Sequence, residues 1–153
     1  MIAKVLREFQ GVEHRIELCN EIDGIRFVND SKGTNPDAAI RAIEAMKRDI
    51  ILIAGGYDKG ASFDEFVSAF DGKVKALVLL GKTATKIKDA AEKAGFTNTV
   101  ILKDMEACVR EAYRLAESGD VVLLSPACAS WDMYTSFEQR GEHFKACVRE
   151  LER

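Results

Sequence analysis

Short apolar runs alternate along the chain with longer segments whose apolar residues recur at helical spacing. The runs are continuous, which is typical of strands buried on both faces, and they cover residues 49–54, 74–80, 99–102 and 120–124. The longer segments carry one apolar face each, as amphipathic helices do, and cover residues 36–46, 83–94, 105–116 and 136–151. This alternation predicts an α/β domain with a parallel sheet and helices on both faces.

The N-terminal part of the chain departs from this alternation. Asp23-Gly24 separates two strand-like runs, 14–21 and 25–29, and this dipeptide is a strong hairpin signal. The hairpin predicts one antiparallel strand at the edge of a doubly wound, mostly parallel sheet of six strands. Residues 2–10 place Ile2, Val5, Leu6 and Phe9 on one face and predict a short helix.

Cap residues predict where several helices begin and end. Asn35 suits an N-cap and Pro36 the first helical position. Residues 62–65 and 136–139 have the Ser-x-x-Glu/Gln pattern of capping boxes, so each is expected to open a helix. Gly95 suits the position just past a helix C-terminus.

Composition narrows the class of protein. The chain has 153 residues, which is one domain by length, and its net charge of -3 gives no general attraction for nucleic acid or an anionic membrane. We find neither an apolar run of bilayer length nor a signal peptide, and we therefore expect a cytoplasmic protein. The four cysteines form no C-x-x-C pair, so neither a zinc site nor a disulfide is expected.

Three loops that follow predicted strands are rich in groups that bind anions. Residues 30–34 offer a carboxylate, a lysine, hydroxyls and a helix N-terminus, and residues 55–60 combine Lys59 with glycines that allow close backbone approach. The third loop supplies the Ser130 hydroxyl and backbone N–H groups, with aromatic walls at Trp131 and Phe137. Each loop alone fits an ordinary capped turn equally well. Right-handed crossovers bring all three to one rim of the sheet, which favours a ligand site there.

Other motifs argue against familiar nucleotide and hydrolase sites. Gly81-Lys82-Thr83 lacks the upstream glycine of a phosphate loop, since Ala76 occupies that position, and it predicts an ordinary turn. The chain contains neither Gly-x-Gly-x-x-Gly nor Gly-x-Ser-x-Gly.

Taken together, these loops resemble the C-terminal domain of the Mur ligases. The resemblance covers about Gly11 to Leu151 and rests on four ordered motifs, at residues 14–17, 29–36, 55–59 and 124–130 with 137–141. It implies a Rossmann-like domain that brings the incoming amino acid to a three-domain, ATP-dependent ligase. Residues 1–10 are then the remnant of an interdomain segment and residues 11–153 the amino-acid-binding domain, without the UDP-binding and central ATPase domains.

The motifs are most similar to the D-glutamate-adding branch, which joins D-glutamate to UDP-N-acetylmuramoyl-L-alanine through an acyl phosphate. The resemblance implies that the D-glutamate carboxylates are held by Thr34, Lys59, Ser130, Trp131 and Phe137. It implies contacts with ATP from His14, Arg15, Asp30 and Lys32, with Lys32 as the candidate phosphate contact. ATP and Mg²⁺ are the implied cofactors. The Mg²⁺ ligands are expected mainly in the central domain, and no metal site is implied in this chain.

The missing domains imply that this chain alone neither hydrolyses ATP nor forms the amide. The implied partners are the two substrates, ATP and the remaining domains of the polypeptide, without nucleic acid or membrane. No Asp-Asn-Pro-Arg motif, which the diaminopimelate-adding ligases carry, occurs here. The alternatives are an L-alanine-adding Mur ligase, a folylpolyglutamate synthase, or a stand-alone module that binds an anionic metabolite.

Overall fold

The computed structural model describes residues 13–152, so the helix predicted over residues 2–10 and the interdomain remnant lie outside the described residues. The strands are β1 (Glu17–Ile22), β2 (Ile25–Asn29), β3 (Ile50–Ala54), β4 (Val74–Leu79), β5 (Thr99–Ile101) and β6 (Val121–Leu124). The helices are α1 (Pro36–Ala45), α2 (Asp64–Ser68), α3 (Ala84–Lys93), α4 (Met105–Leu115) and α5 (Phe137–Glu150). No helix in this part of the chain is both long and apolar enough to cross a bilayer.

The six strands form one sheet in the order β1-β2-β6-β3-β4-β5. β1 pairs with β2 in the antiparallel sense, and every other pairing is parallel. The predicted sheet, including its antiparallel edge hairpin, is therefore confirmed. β6 comes late in the chain but lies between β2 and β3, so three loops that are far apart in sequence leave neighbouring strands.

Helices cover both faces of the sheet, as predicted. α1, α2 and α3 bury their apolar faces against one side, together with Leu52 and Leu123. α4 and α5 pack on the other side, together with Ile53 and Leu124. Alternate residues of one strand thus enter different cores, which explains why the central strands are continuously apolar.

Most predicted caps are confirmed. The Asn35 side chain accepts from Ala38 N (2.9 Å), and the Ser136 side chain accepts from Gln139 N (3.1 Å). Gly95 follows α3 with φ +89°. The Gln139 carboxamide accepts from Thr135 N rather than from Ser136 N, so the second capping box is half formed.

Two boundaries differ from the sequence prediction. At the capping box of residues 62–65, Ser62 Oγ accepts from Asp64 N, and α2 begins at Asp64 with the buried Phe63 as its N-cap and no side-chain capping hydrogen bond. β1 begins at Glu17 rather than at residue 14, because Ile16 has a left-handed backbone (φ 47°) that a strand does not accommodate.

Candidate functional site

The three loops predicted to bind anions meet at the carboxyl ends of β2, β6 and β3, which are adjacent strands. Backbone hydrogen bonds join them directly: Ala127 N donates to Gly33 O (2.9 Å), and Tyr57 N donates to Ala129 O (2.8 Å). The predicted convergence on one rim is confirmed. A cleft at such a switch of strand order is where open α/β sheets bind ligands.

Ser130 presents an unusual hydroxyl at this rim. The residue is 2% exposed, and Ser130 Oγ is the one buried side-chain nitrogen or oxygen of residues 13–152 that has no hydrogen-bond partner. A buried unpartnered hydroxyl costs about 1–3 kcal/mol, so such groups are rare in native proteins. The turn that holds Ser130 is fixed, since Ser130 O accepts from Tyr134 N (2.8 Å). The hydrogen-bonding capacity of this hydroxyl is therefore unused within the described residues.

Lys59 and two aromatic rings lie next to Ser130. The Lys59 ammonium is exposed and lies 5.8 Å from the centroid of the Trp131 ring. The Tyr57 ring also packs against this indole at a tilted angle of 59°, with ring centroids 5.4 Å apart. Trp131 is 62% exposed, so this side of the rim is open to solvent. An ammonium held by an aromatic face, with no carboxylate partner among the described residues, suits an anionic ligand.

Thr34 and Phe137 reach the same rim through the loop of residues 30–34. Thr34 is half-buried, and its N–H donates to Lys32 O (2.8 Å). Ser31 Oγ donates to Phe137 O (2.7 Å), and the half-buried Phe137 ring packs edge-on against His14 with centroids 6.2 Å apart. Neither residue forms a side-chain hydrogen bond with Ser130 or Lys59 in the described structure.

The four residues implied to reach ATP divide into a buried and an exposed pair. His14 is 3% exposed; its Nδ1 lies 2.8 Å from the Asn29 amide, and its ring fits over Gly141, where a Cβ atom would approach to 2.2 Å. Arg15 and Lys32 are exposed, and Lys32 N donates to His14 O (3.0 Å). The buried histidine thus supports two exposed cations at the rim.

Asp30 is the buried acid of the site. It is 3% exposed, and its carboxylate accepts from Ile16 N (3.1 Å) and from Ser125 Oγ (2.7 Å). Burial raises the pKa of Asp30 to about 6, although these hydrogen bonds and the charge of Arg15 favour the ionised form. Asp30 therefore ties the strained Ile16 segment and the end of β6 to one loop.

The raised pKa of Asp30 predicts an unusual pH dependence of stability. Between pH 4 and 6 the native state binds more protons at this site than the unfolded chain, so the free energy of unfolding should fall as pH rises through this window. The gap between the two pKa values corresponds to about 3 kcal/mol. The free energy of unfolding of Asp30→Asn, relative to that of wild type, should therefore increase by about 3 kcal/mol between pH 4 and pH 7. Urea denaturation of both proteins at each pH measures this difference. Parallel pH profiles for the two proteins would contradict the assignment.

Arg140 lies within the motif of residues 137–141, but its buried role was not predicted. It is 3% exposed, and its guanidinium donates to Ser31 Oγ (2.9 Å), Ser31 O (2.7 Å) and Cys128 O (2.9 Å). Burial lowers the pKa of Arg140 to about 10, which still leaves it charged at neutral pH. The sequence does indicate that Arg140 is buried, because it lies on the same face of the helix as the apolar residues Phe144 and Val148. A charge on an apolar stripe indicates a buried partner.

One group of side chains could be considered for a metal ion. Ligand atoms of Glu13, His14 and Glu142 lie within 4.8 Å of one another. Lys145 already pairs with both carboxylates, at 2.9 Å from Glu13 and 3.2 Å from Glu142. Burial lowers the pKa of Lys145, but its hydrogen bonds to carboxylates outweigh this and leave the pKa well above its ordinary value. The ammonium therefore occupies the position that a cation would take.

Comparison with known proteins agrees with this arrangement. Residues 14–128 match the family described as "Mur ligase, glutamate ligase domain". A UDP-N-acetylmuramoylalanine–D-glutamate ligase from Thermoanaerobacter sp. (strain X514) is 59% identical over 155 residues, which cover 100% of this chain and 34% of the relative. The ligase of the same name from Clostridioides difficile (strain 630) is 55% identical over 151 residues, or 99% of this chain and 34% of that protein.

Solved structures share the fold at low identity. The UDP-N-acetylmuramate-alanine ligase MurC from Thermotoga maritima superposes with a TM-score of 0.66 at 15% identity, over 96% of this chain and 32% of that one. A bifunctional folylpolyglutamate synthase/dihydrofolate synthase from Yersinia pestis gives 0.64 at 15% identity, over 90% and 32%. The chain spans about a third of the length of the curated relatives it matches. It belongs to the Mur ligase, glutamate ligase domain family.

Proposed function

We propose that this chain is the amino-acid-binding domain of a cytoplasmic, ATP-dependent ligase that joins D-glutamate to UDP-N-acetylmuramoyl-L-alanine in peptidoglycan precursor synthesis. The relatives at 54–59% identity carry the name of that ligase. The observation that carries the proposal is the buried, unpartnered hydroxyl of Ser130. The next residue is Trp131, whose indole ring lies beside the Lys59 ammonium. A dicarboxylate amino acid supplies the missing hydrogen-bond acceptor for both groups.

The rim offers complementary groups to the two carboxylates of D-glutamate. Lys59 supplies a mobile point charge, and the hydroxyls of Ser130 and Thr34 supply neutral donors. The Trp131 backbone N–H and the Phe137 ring complete the proposed pocket. Hydrogen bonds to ionised carboxylates are about twice as strong as neutral ones. Fixing both carboxylates orients the amine for attack on an acyl phosphate, and orientation of this kind contributes up to ~7–11 kcal/mol.

The exposed cations at the other end of the rim suit a nucleotide. ATP supplies the phosphoryl group that activates the carboxylate of the UDP-sugar peptide. Arg15 and Lys32 would hold its phosphates, since both are exposed and carry N–H donors. For the buried His14 and Asp30, direct contact with ATP stays a prediction. The Mg²⁺ ligands are expected mainly in the remaining two thirds of the polypeptide.

Ser130→Ala tests the proposal, because stability and activity should change in opposite directions. Removing an unpartnered buried hydroxyl should leave the melting temperature unchanged or higher. In the complete polypeptide, the KM for D-glutamate should rise roughly ten- to hundredfold, since a hydrogen bond to a charged group is lost. Phosphate release at varied D-glutamate measures this. Ser68→Ala, an exposed serine at the end of α2, is the matched control and should change neither quantity.

The same assay separates the competing ligases. D-glutamate, L-glutamate and L-alanine should be offered in turn with saturating ATP and UDP-N-acetylmuramoyl-L-alanine or its alanine-free precursor. We expect phosphate release only with D-glutamate and the alanine-containing substrate. Turnover with L-alanine would favour the L-alanine-adding ligase, and a wild-type KM for D-glutamate in Ser130→Ala would remove Ser130 from the site.

A further inference from the structure

Thr83 lies in the loop that follows β4, where the Gly81-Lys82-Thr83 sequence predicted an ordinary turn. The turn is confirmed, but the threonine is 0% exposed and its hydroxyl bonds to two other loops. Gly56 N donates to Thr83 Oγ1 (3.0 Å), and Cys128 Sγ lies 3.2 Å from the same oxygen. Thr83 N in turn donates to Gly56 O (3.1 Å). Both backbone polar groups of Gly56 are therefore held by one residue.

The use of this hydroxyl departs from the usual role of threonine at a helix start. Thr83 is the N-cap of α3, where a threonine side chain ordinarily accepts from a backbone N–H of the first turn. Here the Thr83 side chain makes no capping hydrogen bond. The hydroxyl is instead directed across the rim, which indicates that its function lies outside α3.

The neighbouring residues of the turn contact the same two loops. Lys82 N donates to the Asp132 carboxylate (3.0 Å), two residues after Ser130. A Cβ atom on Gly81 would lie 2.6 Å from that carboxylate and 3.0 Å from Gly56 Cα, so the backbones approach closely. The turn of residues 81–83 therefore braces the glycine loop and the Ser130 loop against each other.

We propose that Thr83 is a positioning residue for the D-glutamate site, an inference that rests on the proposed function. Its hydroxyl fixes Gly56, three residues before Lys59, relative to Cys128, two residues before Ser130. Thr83 itself does not touch the amino acid. It sets the separation between the ammonium of Lys59 and the hydroxyl of Ser130, and hence the length of the dicarboxylate that the rim accepts.

The test is Thr83→Val in the complete polypeptide, which keeps the shape of the side chain and removes the hydroxyl. We expect the KM for D-glutamate to rise about tenfold, because the Gly56 N–H loses its acceptor and the loop shifts. The kcat and the KM for ATP should stay within about twofold of wild type, since those contacts come from other loops. Thr83→Ser should restore the wild-type KM. Thr85→Val, the same change at an exposed position of α3, is the matched control.

Several results would overturn the inference. A wild-type KM for D-glutamate in Thr83→Val, with a raised KM in Ser130→Ala, would reject the role of Thr83 and leave the proposed function intact. Equal rises in the KM for D-glutamate, ATP and UDP-N-acetylmuramoyl-L-alanine would also reject the role of Thr83, because they would indicate a general loss of structure. If Thr83→Val does not fold, Asp132→Ala tests the same brace from its other side, and an unchanged D-glutamate KM there would also reject it. Failure of both Ser130→Ala and Thr83→Val to raise the KM would reject the D-glutamate site itself.

Discussion

Arg140→Ala should lower the free energy of unfolding by about 3–5 kcal/mol. The change leaves a cavity beneath the rim and removes the donor for Ser31 O and Cys128 O, two carbonyls that water does not reach. Because these carbonyls belong to two of the three loops of the proposed site, the proposed binding of D-glutamate should weaken along with stability. Urea denaturation of the variant and the D-glutamate KM of the complete polypeptide measure the two effects.

Two further variants separate the guanidinium from its charge. Arg140→Lys keeps a cation but cannot donate to three acceptors in a fixed fork, so it should recover only part of the lost stability. Arg149→Ala removes an exposed arginine from the last turn of α5 and should cost about 0.5 kcal/mol or less. A loss in Arg140→Ala no larger than in Arg149→Ala would show that the buried hydrogen bonds contribute little.

Gly55→Ala should be at least as damaging, again by about 3–5 kcal/mol. Gly55 has φ +117°, a conformation that residues with a side chain rarely adopt. A Cβ atom there would lie 1.9 Å from Leu80 O, a backbone atom that cannot rotate away. The variant must separate the ends of β3 and β4, which would also displace Lys59. Thermal unfolding and the yield of folded protein report this loss.

Gly60→Ala is the matched control for this prediction. Gly60 lies in the same loop and also has a positive φ (+84°), but a Cβ atom would meet no atom within 4 Å. Gly60→Ala should therefore lower the free energy of unfolding only by the cost of the backbone strain, about 1–2 kcal/mol. Equal losses in the two variants would mean that backbone conformation, and not the close approach of Leu80, decides the role of Gly55.

The sheet was predictable because its signals are local and repeated. A short, continuous apolar run such as residues 50–54 is typical of a strand covered on both faces, and Asp23-Gly24 favours a hairpin without reference to distant residues. The capping box of residues 62–65 correctly predicted the start of a helix, but its capping hydrogen bonds did not form. Phe63 is buried in the hydrophobic core, and it takes the N-cap position that the local pattern assigned to Ser62.

The rim itself was predictable, but the groups that hold it together were not. Topology alone brings Lys59 and Ser130 to the same edge of the sheet. The roles of the Ser125 and Thr83 hydroxyls were not predictable, because their partners Asp30 and Gly56 are distant in sequence. Spacing along the chain carries no information about such bonds. They depend on which strands lie side by side, which a single sequence does not reveal.

The place of β6 has a consequence for how the protein is made. A growing chain that has reached residue 120 can form only two separate ladders, β1–β2 and β3–β4–β5, since β6 is the strand that joins them. Until then, the inner edges of β2 and β3 expose unpaired N–H and C=O groups, which invite pairing with other nascent chains. Insertion of four apolar residues, 121–124, closes both edges at once and draws the ligand loops together. Completion of the sheet and assembly of the rim thus depend on the same strand, β6.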